Sequence, residues 1–382
     1  MLNKKKILLN ISEDWFFLSH FLSRALCAQK AGFEIYVCCN ETNKRKIIEN
    51  NGIKFIKLPY KRSNINPLYE LYILLRFIFI LKKIKPDIVH NIALKSIIHG
   101  SIASKILNIK SVINAPVGMG YVFISNDLKA RVLRPVLKFL LINLLDSHKG
   151  RNKKNRVIFE NNDDLDYFIN LKAVNSKSAC VISGAGVEVD KFIYKRKKIN
   201  KIPTVVLVAR MLKDKGIYEF IEAYKLLQDR KIKCRFILVG DIDPINPSSI
   251  EKSFLQNCQR EKRIEWLGWI DNIDKVLWET DILCLPSYRE GLPKSLIEGA
   301  AAGLPLVSTD TVGCREVVID GLNGFLVPIK DSKKLADAIE KLILDSELRR
   351  SMGEESRKLA KSRFSSSIIN SLTMKVYNEL YF

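Results

Sequence analysis

With 382 residues, 47% of them hydrophobic and 27% charged, the chain is long enough for two ordinary domains and far from the composition of a disordered protein. Its formal charge of +22 is unevenly placed, because residues 1–200 hold 35 Lys and Arg against 15 Asp and Glu while residues 201–382 hold 28 against 26. The first half therefore suits an anionic partner (nucleic acid, an anionic membrane surface or a phosphorylated substrate) or carries a solvated basic face, and no stretch reaches the roughly 18 apolar residues that would span a bilayer.

Short β-branched runs alternate with helical patterns from the start. Met1–Lys6 is basic, but the apolar stretch Ile7–Ile11 runs into Glu13-Asp14 and is too short for the core of a signal peptide. In the first half, strands are expected at Lys6–Ile11, Glu34–Cys38, Ile53–Leu58, Asp87–His90, Ser111–Asn114, Arg156–Glu160 and Ala179–Ile182. Helices are expected at Phe16–Lys30, Pro67–Lys83, Lys95–Leu107 and Leu128–Leu145. Two of these are basic and apolar together: Leu71–Leu81 closes on Lys82-Lys83, and Lys129, Arg131, Arg134 and Lys138 alternate with apolar residues. Such helices fit either a lipid surface with anionic headgroups or a core helix with lysines at its rim.

The break between domains is expected in Tyr194–Lys201, a charge run closed by Pro203. Beyond it, strands are expected at Thr204–Ala209, Cys234–Val239, Ile264–Leu267, Ile282–Leu285 and Pro305–Ser308. Strands separated by helices of this length build parallel sheets with helices on both faces, which take ligands at the carboxyl ends of the strands. The expected architecture is α/β, two Rossmann-like doubly wound domains facing a cleft: residues 1–195, residues 202–364, and a terminal helix in 365–382 packing back toward the first domain. The eight cysteines form no C-x-x-C pair and no zinc spacing, and most lie in apolar runs, so buried free thiols in a reducing compartment are expected.

Two strings in the second half carry chemistry. Ser287–Pro305 follows a buried strand and opens a helix, with Pro293 in the first turn, Glu290 just ahead of it and Glu298 inside it. A small ligand along the helix's amino end could be held by both carboxylates as hydroxyl acceptors, with its phosphates against the N–H groups of Gly291 and Leu292. The bland alternative, a helix with an acidic first turn and one exposed glutamate, accounts for either carboxylate but poorly for the whole string. The second string, Ala209–Gly216, puts Arg210 and Lys215 at a strand's carboxyl end, where a planar guanidinium and a point-charge ammonium suit phosphate oxygens. A solvent-facing basic loop is the competing reading there.

In this order, about 80 residues apart, the two strings resemble the carboxyl-terminal domain of glycosyltransferase family 4, the retaining enzymes of the GT-B fold. Gly313-Cys314-Arg315-Glu316 and Asp320–Val327 complete the resemblance, which covers essentially the whole chain and is strongest from Pro203 to Phe364. It implies that Glu298 holds the nucleotide ribose, that Glu290 meets the donor sugar's hydroxyls, and that Arg210 and Lys215 clamp the diphosphate. It also places Pro293, Gly240 and Leu267 at the nucleotide, and implies front-face attack with no covalent nucleophile. The first half looks like the branch that builds surface polysaccharides on undecaprenyl diphosphate, through Asp14–His20, Lys85–His90, Lys95 and Gly118-Met119-Gly120-Tyr121. Candidate acceptor contacts are His20, Lys95, Gly118 and Tyr121. The loop Ser12–Ser19 lacks the glycines that many members have, and no histidine follows Ser111–Asn114, so the donor sugar stays open between an N-acetylhexosamine and a galactose-type sugar.

No P-loop, G-x-G-x-x-G or zincin motif is present, and Asp241-Ile242-Asp243 has the letters of a metal-binding D-x-D but sits where a loop lining the base is expected. The expectation is a metal-independent transferase using a UDP-sugar, cytoplasmic and peripheral on the inner face of the cytoplasmic membrane, without nucleic acid. A GDP-mannose or lipopolysaccharide-core transferase of the same fold stays open, as does a non-catalytic basic protein binding membrane or nucleic acid. Retention of Arg210, Lys215, Glu290 and Glu298 together weighs against the last.

Overall fold

The computed structural model describes residues 5–62, 64–119, 121–124, 128–146, 154–192, 202–261 and 263–381. The chain divides into two compact units, one of residues 1–185 with 369–382 and one of residues 186–368. The charge run expected to separate them falls within 193–201, outside the described residues. The division comes earlier because Val187, Val189 and Phe192 already pack into the core of the second unit.

The first unit is a seven-stranded parallel sheet of β1 (Lys6–Glu13), β2 (Glu34–Asn40), β3 (Lys54–Lys57), β4 (Ile88–Ile92), β5 (Ser111–Ala115), β6 (Lys154–Phe159) and β7 (Ala179–Val181). Its spatial order is β3-β2-β1-β4-β5-β6-β7, so the winding direction reverses between β1 and β4. Every residue of β4 and β5 is buried, as expected of central parallel strands covered on both faces. The helix Pro67–Ile84 starts where Asn66 accepts from the N–H groups of Leu68 and Tyr69 with Pro67 in the first turn, and it stops at Lys85 (φ 50°) before Pro86. The single helix expected over Phe16–Lys30 is two, Asp14–His20 and Leu22–Lys30. Phe21, at φ −124°, interrupts it and buries its ring edge-on to His90.

The second unit is a six-stranded parallel sheet of β8 (Thr204–Val208), β9 (Arg235–Val239), β10 (Glu265–Trp266), β11 (Ile282–Leu285), β12 (Leu306–Thr309) and β13 (Gly324–Val327), in the order β10-β9-β8-β11-β12-β13. Its winding reverses between β8 and β11. β13 has no counterpart among the expected strands; its short, mixed Gly-Phe-Leu-Val run is recruited by pairing in register with Leu306–Thr309. Val187 bridges Ser365 within this unit, so the two places where the chain enters and leaves it are hydrogen-bonded to one another. The helix Ser366–Tyr381 then carries the chain back, and from Ile369 onward its residues belong to the first unit. There Tyr377 bonds His90 at 3.0 Å and the Leu380 carbonyl accepts from Ser111 Oγ at 3.0 Å. No cysteine is paired: six are buried and Cys27 and Cys180 are half-buried.

Candidate active site

The switch point of the second sheet brings two loops together, one after β8 and one after β11. Gly216, at φ 72°, lies so close to the chain that a Cβ there would stand 2.1 Å from the Pro286 carbonyl oxygen. The two loops are joined by hydrogen bonds to the Asp214 carbonyl from Tyr288 N (2.8 Å) and Ser287 Oγ (3.1 Å). A third segment supports them: Glu290 N donates to the Val312 carbonyl at 3.1 Å, Thr309 Oγ1 donates to the Ser287 carbonyl, and a Cβ on Gly313 would lie 2.5 Å from the Gly291 carbonyl. A loop held on both sides presents its side chains with little conformational freedom left to lose.

On this platform, Lys215 Nζ meets Glu290 Oε1 at 2.5 Å, with both side chains largely enclosed. Arg210 meets Asp243 Oδ2 on the loop after β9, also at 2.5 Å. Each cation expected to clamp a diphosphate thus carries a carboxylate. Glu298 lies on the helix Lys294–Ala301, where Lys294 Nζ approaches its Oε1 at 3.3 Å. Burial raises the Glu298 carboxyl above the ordinary carboxylate range, and Lys294 opposes that rise. Pro293 is the cap residue (φ −73°, ψ 111°) rather than part of the first turn, and the helix closes with Gly303 at φ 72° before Pro305. Gly240, at φ 129°, packs where a Cβ would meet the Ala209 carbonyl at 1.9 Å, and its own carbonyl accepts from Trp266 Nε1 at 2.9 Å. Leu267 follows β10, is partly exposed, and donates its N–H to the Leu238 carbonyl at 3.0 Å. Leu292 is buried against the core.

Sequence reasoning names Glu290 but not its pairing with Lys215, and misses Asp243 as the partner of Arg210. Asp243 stood in view only as part of a D-x-D string. Tyr288, whose hydroxyl donates to Glu219 Oε1 at 2.6 Å, was not singled out. Burial and Glu219 together push that phenol up.

In the first unit the candidate residues follow the carboxyl ends of neighbouring strands, His20 after β1, Lys95 after β4 and Gly118 after β5. His20 ends the helix Asp14–His20 with its ring 4.2 Å from that of Phe16. Gly118 has φ 71°. Tyr121 opens the short helix Tyr121–Ile124, its side chain lying outside the described residues, as does Gly120. Lys95 is committed internally: its ammonium donates to the carbonyls of Lys61 (2.7 Å) and Asn64 (2.9 Å) and to Glu70 Oε1 (2.8 Å), which uses all three protons. It fastens the segment around 61–64 to the helix Pro67–Ile84. His99 joins that cluster at 3.2 Å from Glu70 Oε2, and its burial lowers its basicity.

The remaining motif residues of this half are also spent on structure. Asp14, fully buried, accepts from the N–H groups of Thr42 (2.6 Å), Lys44 (3.1 Å) and Trp15 (2.7 Å). His90 is buried and, with Arg24 near it, held down to about 3. Asn10, Asn91 and Asn114, side by side on β1, β4 and β5, form a buried amide chain in which Asn10 Nδ2 donates to Asn91 Oδ1 and Asn91 Nδ2 to Asn114 Oδ1, both at 3.0 Å. The Tyr60 hydroxyl and the carbonyls of Ser96 and Leu145 complete it.

Among the described residues no group of His, Cys, Asp and Glu is arranged to hold a metal, and no helix is long and apolar enough to cross a membrane.

Residues 188–359 match the family model described as "Glycosyl transferases group 1", and residues 6–144 match "Glycosyl transferase 4-like". The chain is 28% identical over 360 residues to the N,N'-diacetylbacillosaminyl-diphospho-undecaprenol alpha-1,3-N-acetylgalactosaminyltransferase of Campylobacter jejuni, covering 91% of each protein. It is 25% identical over 328 residues to the UDP-Gal:alpha-D-GlcNAc-diphosphoundecaprenol alpha-1,3-galactosyltransferase of Escherichia coli, covering 83% of this chain and 81% of that one. Its fold matches the Anabaena protein HepE, solved in complex with UDP, with a TM-score of 0.74 at 19% identity over 98% of this chain and all of that one. With its two parallel-sheet units matched by these two models, the chain belongs to the GT-B glycosyltransferases and is an enzyme of sugar transfer.

Proposed function

We propose that the chain transfers a sugar, an N-acetylhexosamine or a galactose-type residue, from a UDP-sugar to a saccharide carried on undecaprenyl diphosphate, with retention at the anomeric carbon and without a metal. The observation that carries this reading is the joined pair of loops at the β8/β11 switch point, which holds Arg210, Lys215 and Glu290 at the strand ends where doubly wound sheets bind ligands, with Glu298 on the helix that follows. The relatives named for undecaprenyl-diphosphate-linked acceptors, and a fold neighbour solved with UDP, support the substrate classes.

In this reading Glu298 accepts the ribose hydroxyls, and its burial makes a charge-assisted bond there stronger than it would be in water. Arg210 and Lys215 offset the charge of the diphosphate, which carries two negative charges in the donor and gains a third as the glycosidic bond breaks, and the amino end of the helix Lys294–Ala301 adds its dipole. Glu290 accepts from the sugar's hydroxyls and orients the ring. Cations and a helix terminus do at the leaving group what a metal does elsewhere, so EDTA leaves the rate unchanged.

The first unit holds the acceptor. Its helices Pro67–Ile84 and Leu128–Leu144 both pack on the helix Leu94–Ile106, and both leave apolar side chains outside: Leu68, Leu71, Leu75 and Phe79 on one, Leu128, Val132, Val136 and Phe139 on the other. Leu68 is 78% and Leu128 79% exposed, and exposed Arg76, Lys82, Lys83 and Arg131 lie on the same two helices. Apolar and basic groups together fit the inner, anionic face of a bilayer, where a polyprenyl-linked acceptor must stay.

The test is turnover with a panel of UDP-, GDP- and dTDP-sugars and synthetic polyprenyl-diphosphate saccharides, with the product's anomeric configuration read by NMR. Transfer from a UDP-sugar with retention is expected. Transfer only from GDP-mannose, or hydrolysis without transfer to any lipid-linked saccharide, contradicts it.

A further inference from the structure

We propose that Asp243 and Glu290 are built-in stand-ins for the donor's diphosphate, so that the donor binds by exchanging two internal ion pairs, and that Asp243 thereby sets the enzyme's affinity for nucleotide. The inference rests on the reading of Arg210 and Lys215 as the diphosphate clamp.

The Arg210–Asp243 contact is held by backbone. The loop that carries Asp243 is hydrogen-bonded to the Arg210 segment at both ends: Met211 N to the Asp241 carbonyl (2.9 Å), Lys213 N to the Ser248 carbonyl (2.8 Å) and Ile250 N to the Met211 carbonyl (2.9 Å). Asp243's own N–H donates to Ser249 Oγ at 3.2 Å, and its carbonyl accepts from Asn246 N at 2.8 Å. The carboxylate is therefore fixed opposite the guanidinium. The two partners differ in access: Asp243's side chain is 12% exposed and Arg210's 38%. The anion is enclosed and the cation reaches outward, as a cation waiting for a second anion would. Lys215, on the same loop as Arg210, and Glu290, 75 positions away on the loop after β11, form the parallel pair at the same 2.5 Å.

Carboxylate oxygens offer a guanidinium or ammonium the same charge-assisted bonds that phosphate oxygens do. Two carboxylates bring two negative charges, like the diphosphate they would yield to. With its carboxylate in place, each cation has little attraction for stray inorganic phosphate. When the diphosphate takes Lys215, Glu290 is released and its oxygens become available to the sugar, so occupation of the phosphate subsite and recognition of the sugar are linked. The linkage costs affinity, because a ligand that binds only the open form of a site sees its affinity reduced by the fraction that is open.

The experiment measures UDP and uridine binding by calorimetry to the full chain, its Asp243→Asn and Arg210→Gln variants, and the double variant, each checked for folding by its thermal midpoint. Asp243→Asn should tighten UDP by about three- to tenfold, the factor expected for a pair closed most of the time. The gain should vanish in the Arg210→Gln background, and uridine, with no phosphate, should bind both alike. Asp243→Glu, which restores the anion, should return UDP affinity toward wild type. Should Asp243→Asn not fold, Glu290→Gln supplies the same test through Lys215, and it too should bind UDP more tightly. Unchanged or weaker UDP binding by folded Asp243→Asn, or a gain that persists without Arg210 or extends to uridine, overturns the proposal while leaving the clamp intact. Unchanged UDP binding by Arg210→Gln overturns the clamp itself, and the proposal with it.

Discussion

The strand ends of the two sheets spend their polar residues differently. In the first unit Asp14, Lys95 and the amide chain Asn10–Asn91–Asn114 have their bonding capacity taken up by neighbouring backbone and one another. In the second unit Arg210 and Lys215 each meet one carboxylate, the guanidinium partly open to solvent and the ammonium largely enclosed. Networks whose members have every bond taken hold a chain in one shape, whereas a cation held by a single carboxylate can trade it for another anion. On the proposed function, shape-keeping falls to one unit and exchange to the other. It also shows that a polar residue at a strand's carboxyl end says little about chemistry until its partners are known.

Four measurements test that contrast. The largest expected effect is on turnover: Glu290→Gln should lower kcat by about 10²–10³-fold, the usual loss when one preorganised electrostatic contact to the reacting group is removed. Its UDP affinity should be no weaker than wild type, and a kcat within a few-fold of wild type would put Glu290 outside the reaction. Next, Asn91→Ala should cost about 2–4 kcal/mol of stability in urea unfolding, because Asn10 and Asn114 each lose an amide partner in the interior. UDP binding by the folded fraction should not change. A cost near zero would mean that water replaces the network.

Glu298→Ala should weaken UDP binding by about 1.5–3 kcal/mol, the value of a hydrogen bond to a charged group. The same carboxyl has a pH signature. Its folded-state pKa lies above the unfolded one, so its ionisation disfavours folding: stability is fully present below the unfolded pKa and declines as pH rises through the folded value. Glu298→Gln should remove that decline and raise the thermal midpoint of the ligand-free protein at neutral pH while binding UDP less well. An unchanged midpoint profile would mean that Lys294 fully offsets the burial. The smallest effects are at the lipid surface, where each of Lys82→Gln, Lys83→Gln and Arg131→Gln should weaken binding to anionic vesicles by about 1 kcal/mol, and less in high salt. Equal binding to neutral vesicles would remove the basic face from the mechanism.

Much of this was legible in the sequence, for physical reasons. Parallel strands buried on both faces read as continuous β-branched runs, so twelve of the thirteen strands stand where the runs lie, and β13 escaped because a glycine opens it and its register comes from β12. The helix ends at Asn66, Lys85 and Gly303 follow cap and stop chemistry that acts within a few residues. What could not be read depends on contacts between distant positions. Nothing near Phe21 announces that its ring will turn the chain toward His90, 69 positions on. Lys95 looked like an available charge until Glu70 and two carbonyls closed on it. The site residues of the second unit were found through their local strings, but their carboxylate partners lie 33 and 75 positions away, and no local pattern carries that information.

The bridge between Val187 and Ser365 makes the second unit a cassette. Chain enters and leaves it at one hydrogen-bonded pair, so residues 186–368 form an insert within a protein whose remaining parts, 1–185 and 369–382, fold together. A gene cut after residue 185 would not yield the first unit alone: it would lose the helix whose Ile369, Val376, Tyr377 and Leu380 fill its core. A graft with both seams at that pair would instead keep every core residue of the host. Exchanging the insert between relatives is thus a direct route to trading one second unit for another while the host unit, with its basic helices, stays as it is.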